Sequence, residues 1–524
     1  MNKSSFIATS ILAAGLFLNS CTLGKNGGNA GTEADSIQSE PAEQEKVITA
    51  LPDSALPSAD RLEYKIDVFE PEISGELGDL KDLYTNAPGI LTFRGGPRRN
   101  ADFKGHIQGR PDSISIEWTF KTEFRGEWGG GTGWTGQPLY VNWPDSCRKM
   151  FKESAKEEIM VGSLCGKVYF IDYETGKISR QPIDVSNPIK GTMMLDPLLN
   201  GRLYVGQGVP VHDPFGALTI DLYSHSIAKT YPKDPKAWRG WGAYDSSPVR
   251  IGSFVFRPGE NGTLYKFYIE NGEEKLHSTL RFRKKGMWGA GGVEASMAVF
   301  ANYGYLADNH GNVVCVNLET LKPIWHYDNK DDNDATPVIE EEDGMPFVYC
   351  GCEVDRQAEA DSNGTAHFVK LNGLTGEEVW HFTEKSNKAV VGSKHFDGGF
   401  YCTPLLGGGN CSNLIFTNIV LNTDKQNGCF IALDRKTGKQ VYSVKLKHYA
   451  WSSPVAFYNE KDEMFVFAAD TYGYVYLIEG KTGNILFTKK IGMNFESSPA
   501  VIGNHLVVGT RGDQIFKMKV ESRK

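Results

Sequence analysis

Six glycine-rich stretches of this 524-residue chain place aromatic and acidic side chains at a repeated distance ahead of a small residue and a proline. They read GEWGGGTGWTGQP, AWRGWGAYDSSP, KKGMWGAGGVEASM, KHFDGGFYCTP, HYAWSSP and NFESSP. Counting back from the proline, or from the methionine that replaces it once, the fourth position holds Trp134, Tyr244, Phe400 and Phe495. The third holds Asp245, Glu294, Asp334, Trp451 and Glu496, and Trp241 and Trp288 stand in the same loops. Aromatic faces beside carboxylates suit a sugar ring or a docked peptide loop, with the acids accepting hydroxyl or amine protons.

Other chemistries find no footing. No GxSxG elbow, P-loop or HExxH helix occurs, and the 11 histidines are scattered, with His310 in the turn NHGN read as a solvent-facing turn residue. A net charge of -8 argues against nucleic acid as a partner. Cys350 and Cys352 share a strand face, but no CxxC pair or histidine cluster supports zinc. The eight cysteines beyond Cys21 allow disulfides in an exported protein without fixing their pairing.

The elements that must hold these loops are short strands. Fifty-eight glycines and 11% aromatics spread along the chain point to strands and tight turns. A Thr-Gly turn recurs, with an acidic or amide residue before it and a large side chain eight residues after that residue. Asp172 leads to Arg180, Asn317 to Trp325, Asn372 to Trp380, Asp434 to Tyr442 and Glu479 to Phe487. Without further glycines or a following helix these are hairpin turns and not phosphate loops. Ahead of each lies a small residue, usually with proline, then an alternating strand, placing Pro138, Pro197, Pro248, Met297, Pro337, Pro404, Pro454 and Pro499 as equivalents. Eight such phrases imply an all-β, eight-bladed β-propeller of four-stranded antiparallel blades. Seven blades remain the alternative if the divergent unit 191–232 is an insertion. The last unit runs out after three strands, and SISIEWTFKT (113–122), with Trp118, is placed to close it.

The frame Ala432, Asp434, Thr437, Gly438 and Tyr442 resembles the repeat of the pyrroloquinoline quinone (PQQ)-like propellers, and LTFRGGPRRN (91–100) resembles the Phe-Arg-Gly phrase that precedes them. The resemblance spans about residues 88–524. It implies either of two roles, since that family holds quinone-dependent alcohol and sugar dehydrogenases as well as non-catalytic propeller lipoproteins such as that of the outer-membrane β-barrel assembly machine. An adjacent Cys-Cys pair, present in many alcohol-oxidising members, is missing.

Residues 1–20, a lysine and then a short apolar run, read as an export signal. Leu18, Ser20 and Cys21 resemble a bacterial lipobox, which makes Cys21 the lipidation site, and Thr22 in place of an aspartate favours the outer membrane. Residues 21–79, rich in Gly, Ser, Pro, Glu and Gln, read as a disordered tether, leaving 80–524 for the propeller. The expectation is a monomeric, non-catalytic scaffold of the cell envelope, lipid-anchored on the periplasmic face or cell surface, binding an envelope protein or a glycan. No cofactor is expected; PQQ with calcium, and dehydrogenase activity, is the alternative. Substituting Trp451 and Asp245 is expected to abolish binding with little change in the thermal midpoint.

Overall fold

The acid or amide that opens each Thr-Gly turn accepts hydrogen bonds from within the turn. Asp434 accepts hydrogen bonds from the Thr437 amide (2.9 Å) and hydroxyl (2.8 Å), and Asp172 does so from Thr175 (2.7 and 2.8 Å). The following glycine takes a left-handed backbone, with φ of 69° at Gly438 and 71° at Gly376. It also leaves room for the neighbouring blade. A Cβ at Gly438 would lie 2.6 Å from the Trp380 ring, whose indole N–H donates to the Arg435 carbonyl at 2.8 Å. Trp325 meets Gly376 and the Gly373 carbonyl (2.9 Å) in the same way, and Tyr442 meets Gly483 and the Gly480 carbonyl (2.6 Å). The large side chain after each turn is therefore a stitch into the next blade. Gly438→Ala should cost roughly 2–4 kcal/mol in urea unfolding, the sum of left-handed strain and a clash with Trp380. Gly344→Ala, at φ 81° with no atom within 4 Å of its Cβ, should cost only about 1–2 kcal/mol.

The computed structural model describes residues 51, 59–101, 103–134, 136–151, 155–391 and 394–522. The export signal, Cys21 and the first part of the tether lie outside the described residues. Among the described residues no helix is long and apolar enough to cross a membrane. Eight antiparallel sheets follow one another along the chain, with inner strands at Leu139–Asn142, Met194–Leu195, Val249–Ile251, Ala298–Phe300, Val338–Glu342, Leu405–Leu406, Val455–Tyr458 and Ala500–Ile502. Apolar faces of neighbouring sheets pack together, and all eight described cysteines are buried free thiols within this packing. Pro111–Lys121 forms the outermost strand of the eighth blade, with Trp118 opposite Lys517 and its indole on the Tyr173 carbonyl (2.9 Å) of the first. The propeller is thereby closed by the front of the chain.

Two expectations are corrected. Residues 191–232 contain a full blade, so the seven-bladed alternative falls, but its frame begins at Thr192–Met193 and not at Pro197. Thr192 Oγ1 accepts the Gln137 amide (2.8 Å), just as Ser296 Oγ accepts that of Ser247 (2.9 Å) and Thr336 Oγ1 that of Ser296 (2.9 Å). Pro197 lies beyond the inner strand Met194–Leu195, in the turn after it. The tether also ends earlier than residue 79. Leu62–Val68 pairs along Ser278–Lys284 as a fifth strand of the third blade, covering an edge that would otherwise stay open. Beyond it, His277 Nε2 meets the Ile73 carbonyl (3.1 Å), and Lys266 Nζ donates to the carbonyls of Gly75 (2.5 Å) and Glu319 (2.9 Å).

The leader then threads the centre of the propeller. Gly89–Ile90 pairs with the first inner strand, and the carbonyls of Leu91, Pro97 and Arg98 accept amides from Leu195, Val299 and Ile339 of three others (2.7–3.0 Å). Arg94 donates to the carbonyls of Pro454 and Pro404 (2.9 Å each), and Arg99 to those of Met297 (2.9 Å) and Ser247 (3.0 Å). Gly105–His106 runs beside the seventh inner strand, and the His106 amide reaches the Gly503 carbonyl of the eighth (2.9 Å). The small residue–proline phrases thus present a circle of carbonyls to two buried guanidiniums. One segment ties together all eight blades and plugs the channel.

Candidate functional site

Strand direction alternates within a blade, so the loop leading into the first strand and the turn between the second and third share one end of the propeller. That end carries the aromatic and acidic side chains. With the second blade's frame corrected, the third position ahead of the proline reads Lys190, Asp245, Glu294, Asp334, Tyr401, Trp451 and Glu496 in seven successive blades. Its counterpart in the first blade, residue 135, lies outside the described residues.

Neighbours in this circle touch. Lys190 Nζ pairs with the Asp245 carboxylate, stands 3.7 Å from Glu294 and 5.8 Å from the centre of the Trp134 ring. Glu260, from the third blade's turn, accepts the Trp241 indole N–H at 2.9 Å. The carboxylates of Asp245, Glu260 and Glu294 bring oxygens within 4.8 Å of one another, and those of Asp332, Asp334 and Glu353 form a second such trio. Asn309 joins the two, donating to Glu294 (3.1 Å) and Asp332 (3.2 Å) while accepting from Arg239 (2.9 Å). Beyond the second trio, Tyr401 stacks on Trp451 with centroids 5.1 Å apart, and Trp134 meets both edge-on at 5.5 and 5.6 Å. The Trp451 indole nitrogen has no hydrogen-bond partner. Either trio has the oxygen donors that a hard divalent cation takes.

Several expected members stand elsewhere. Tyr244, Phe400 and Phe495 are buried in the packing, against Tyr265 (5.9 Å), Phe368 (5.3 Å) and Phe516 (6.2 Å), and present no free face. Asp245 is buried and bonded to Lys190, so its substitution perturbs the fold and does not report binding alone. Glu496 is held by Arg511 (3.2 Å), while Trp288 is 98% exposed at the tip of its loop. Lys190, Glu260, Asn309, Asp332, Glu353 and Tyr401 escaped the sequence reading. Lys190 was hidden by the four-residue misregister of its blade; Tyr401 follows from the spacing once the third position is tracked.

Burial shifts the acids. Glu260, Asp334 and Glu353 are pushed well above the usual carboxylate range by desolvation and then by the charge of neighbouring carboxylates (Glu294 and Asp245 for Glu260, Asp332 and Glu294 for Asp334, Asp334 and Asp332 for Glu353), and Asp332 is pushed up to about 8. A carboxyl with a raised folded pKa leaves the native state holding more protons than the unfolded chain, so its stability contribution falls as pH rises toward that pKa. Half-buried His310, His326 and His367, lowered to about 4, act oppositely, but only below the unfolded histidine pKa of about 6.5. Lys266, lowered to about 7 by burial, opposes with a single proton above that pH. Between pH 6.5 and 8 the thermal midpoint should therefore fall, and Asp334→Asn should flatten the slope in scanning calorimetry. A midpoint that rises through this window contradicts the assignment.

Residues 426–524 match the family model described as outer membrane protein assembly factor BamB. No curated protein matches the chain. Among solved structures, the quinohemoprotein alcohol dehydrogenase ADHIIG from Pseudomonas putida HK5 is similar with a TM-score of 0.59 and 13% identity, over 84% of this chain and 82% of that one. The quinohemoprotein alcohol dehydrogenase from Comamonas testosteroni gives 0.54 and 14%, over 83% and 81%. BamB from Moraxella catarrhalis gives 0.49 and 11%, over 78% and 100%. At such identities the likeness concerns the fold.

Proposed function

We propose that this PQQ-like β-propeller is a non-catalytic binding scaffold of the cell envelope, fastened to the outer membrane through a lipidated Cys21 and gripping an envelope protein at its mouth. The observation that carries the reading is the make-up of the circle at that mouth. Six carboxyls of the two trios gather there, and the cations beside them are already engaged, Lys190 with Asp245 and Arg239 with Asn309. A quinone bearing three carboxylates of its own would meet mainly acids there, the nearby cations being already paired, although the trios suit calcium. The residues fit a cation and do not fit the quinone. They do fit a basic or hydroxyl-rich segment, such as a loop offering Lys or Arg, which the trios would pair with while Trp134, Tyr401 and Trp451 take its apolar part. The family match over residues 426–524 supports a role among envelope assembly proteins. A glycan is the second reading, favoured by the three clustered rings.

Two measurements test this. Titrating the protein with PQQ in calcium and in chelator should leave tryptophan fluorescence without saturable quenching at micromolar cofactor; calcium-dependent saturation would restore the dehydrogenase reading. Pull-down from detergent-solubilised envelope should retain a protein that Trp451→Ala releases while its thermal midpoint stays within a few degrees of wild type. Equal recovery by both proteins would sink the mouth as the docking site, and displacement by soluble oligosaccharide would favour the glycan.

A further inference from the structure

A cavity of about 310 Å³ lies between the second and third blades, with Tyr244, the residue before Asp245 of the mouth circle, in its lining. Ala217 and Tyr231 form one wall, Arg257, Tyr265 and Phe267 the other, and Phe69 of the added edge strand's exit covers one side. Its lining is mostly apolar, yet it contains a guanidinium. Arg257 is only 2% exposed, none of its three nitrogens has a hydrogen-bond partner, and it forms no ion pair among the described residues.

The nearby acids are committed elsewhere. Asp234 accepts the Tyr265 hydroxyl (2.9 Å), Glu274 accepts that of Tyr231 (3.1 Å), and Asp67 holds Arg281. The rings of Tyr204, Tyr231 and Phe267 stand 5.3–5.5 Å from the Arg257 carbon and attract its charge. They cannot accept its five N–H bonds in the plane of the group. Register places Tyr265 opposite Arg257 and Thr279 opposite Tyr265, and the Thr279 hydroxyl is also buried without a partner. A buried, unpaired cation beside an unpaired hydroxyl and an apolar cavity has the form of a site waiting for an anion with an apolar body. Lys233 and Lys236, both exposed at the rim, favour the approach of negative charge.

We propose that this cavity binds a small organic carboxylate, its two oxygens bridging the Arg257 fork and the Thr279 hydroxyl and its hydrocarbon part lying against Tyr231 and Phe267. The planar fork matches a carboxylate bidentately, and the apolar walls favour an aryl or short acyl acid over inorganic phosphate. Its lining includes no member of the two carboxyl trios at the mouth.

The test is a thermal-shift and calorimetric titration of the full chain with phenylacetate and octanoate, with phenylacetamide, octanamide and inorganic phosphate as controls. At least one of the acids should raise the midpoint saturably while the amides and phosphate do not. Arg257→Met should abolish that response, Arg257→Lys should weaken it about tenfold or more, and Thr279→Val should weaken it while leaving the fold intact. In the ligand-free protein Arg257→Met should match or exceed wild-type stability, because it removes an uncompensated charge. No response to either acid, a response undiminished in Arg257→Met, or a ligand-free Arg257→Met several degrees less stable than wild type would each overturn the proposal. The last would show that the aromatic cage already satisfies the guanidinium.

Discussion

Arg99→Met should lower unfolding free energy by about 3–5 kcal/mol, because a fully buried guanidinium leaves behind carbonyls that no water reaches. Arg99 donates to the carbonyls of Met297 (2.9 Å), Phe93 (2.8 Å) and Ser247 (3.0 Å) and to the Thr92 hydroxyl (2.8 Å). Burial lowers its pKa to about 10, still high enough to keep it charged at neutral pH. Methionine fills much of the volume and replaces none of these bonds. Its neighbour Arg98 gives the contrast, since its pair with Glu341 (2.6 Å) is partly solvated and its loss should cost about 1 kcal/mol or less. Urea unfolding of the two variants side by side decides the matter. Equal losses would mean that the leader merely rests in the channel and does not tie the blades.

The second large effect belongs to Lys190. Lys190→Met removes the one cation placed between Asp245 and Glu294 and should cost about 3–5 kcal/mol at pH 7.5, the usual consequence of stranding a buried carboxylate. Its pH dependence separates charge from packing. Burial and the nearby Glu294 charge already raise the Asp245 pKa against the pull of Lys190, and without the lysine it rises further. The folded state of the variant then holds an extra proton, so its deficit should be largest near pH 8 and shrink toward pH 5. A deficit that stays constant over that range would assign the loss to the missing aliphatic stem.

Much of this architecture is legible because it repeats. The turn needs an acid or amide, a threonine and a left-handed residue within five residues, glycine in four turns and Leu321 in the fifth, and such local demands leave marks that can be aligned from Asp172 to Gly483. The closing strand was also within reach, because Trp118 carries the same stitch as Trp325 and Trp380. What escaped depends on partners far away in sequence. The plug bonds to carbonyls that any residue could supply, so nothing near Arg94 or Arg99 announces eight distant blades. The second blade was misread because Met193 stands where its neighbours have proline, and Pro197 offered a false landmark four residues on. The edge strand did leave a trace, the alternation of Leu62, Tyr64, Ile66 and Val68, which the polar composition around it obscured. At the mouth, aromatic identity proved a weaker guide than position: Phe400 and Phe495 pack inward, whereas the third position ahead of the proline marks the circle whatever residue fills it.

The added edge strand also sets how the molecule bears a mechanical load. Leu62 lies opposite Lys284, at the mouth end of the third blade's outer strand, and Val68 opposite Ser278, toward the far end. Force arriving along the chain from the N-terminus first meets Leu51, whose amide donates to the Asn302 side chain of the fourth blade (3.0 Å), and then the start of a seven-residue antiparallel seam. A pull away from the mouth, along the strand axis, shears all of these pairings at once instead of unzipping them singly. The strain is shared between the fourth and third blades before it reaches the central segment that binds all eight.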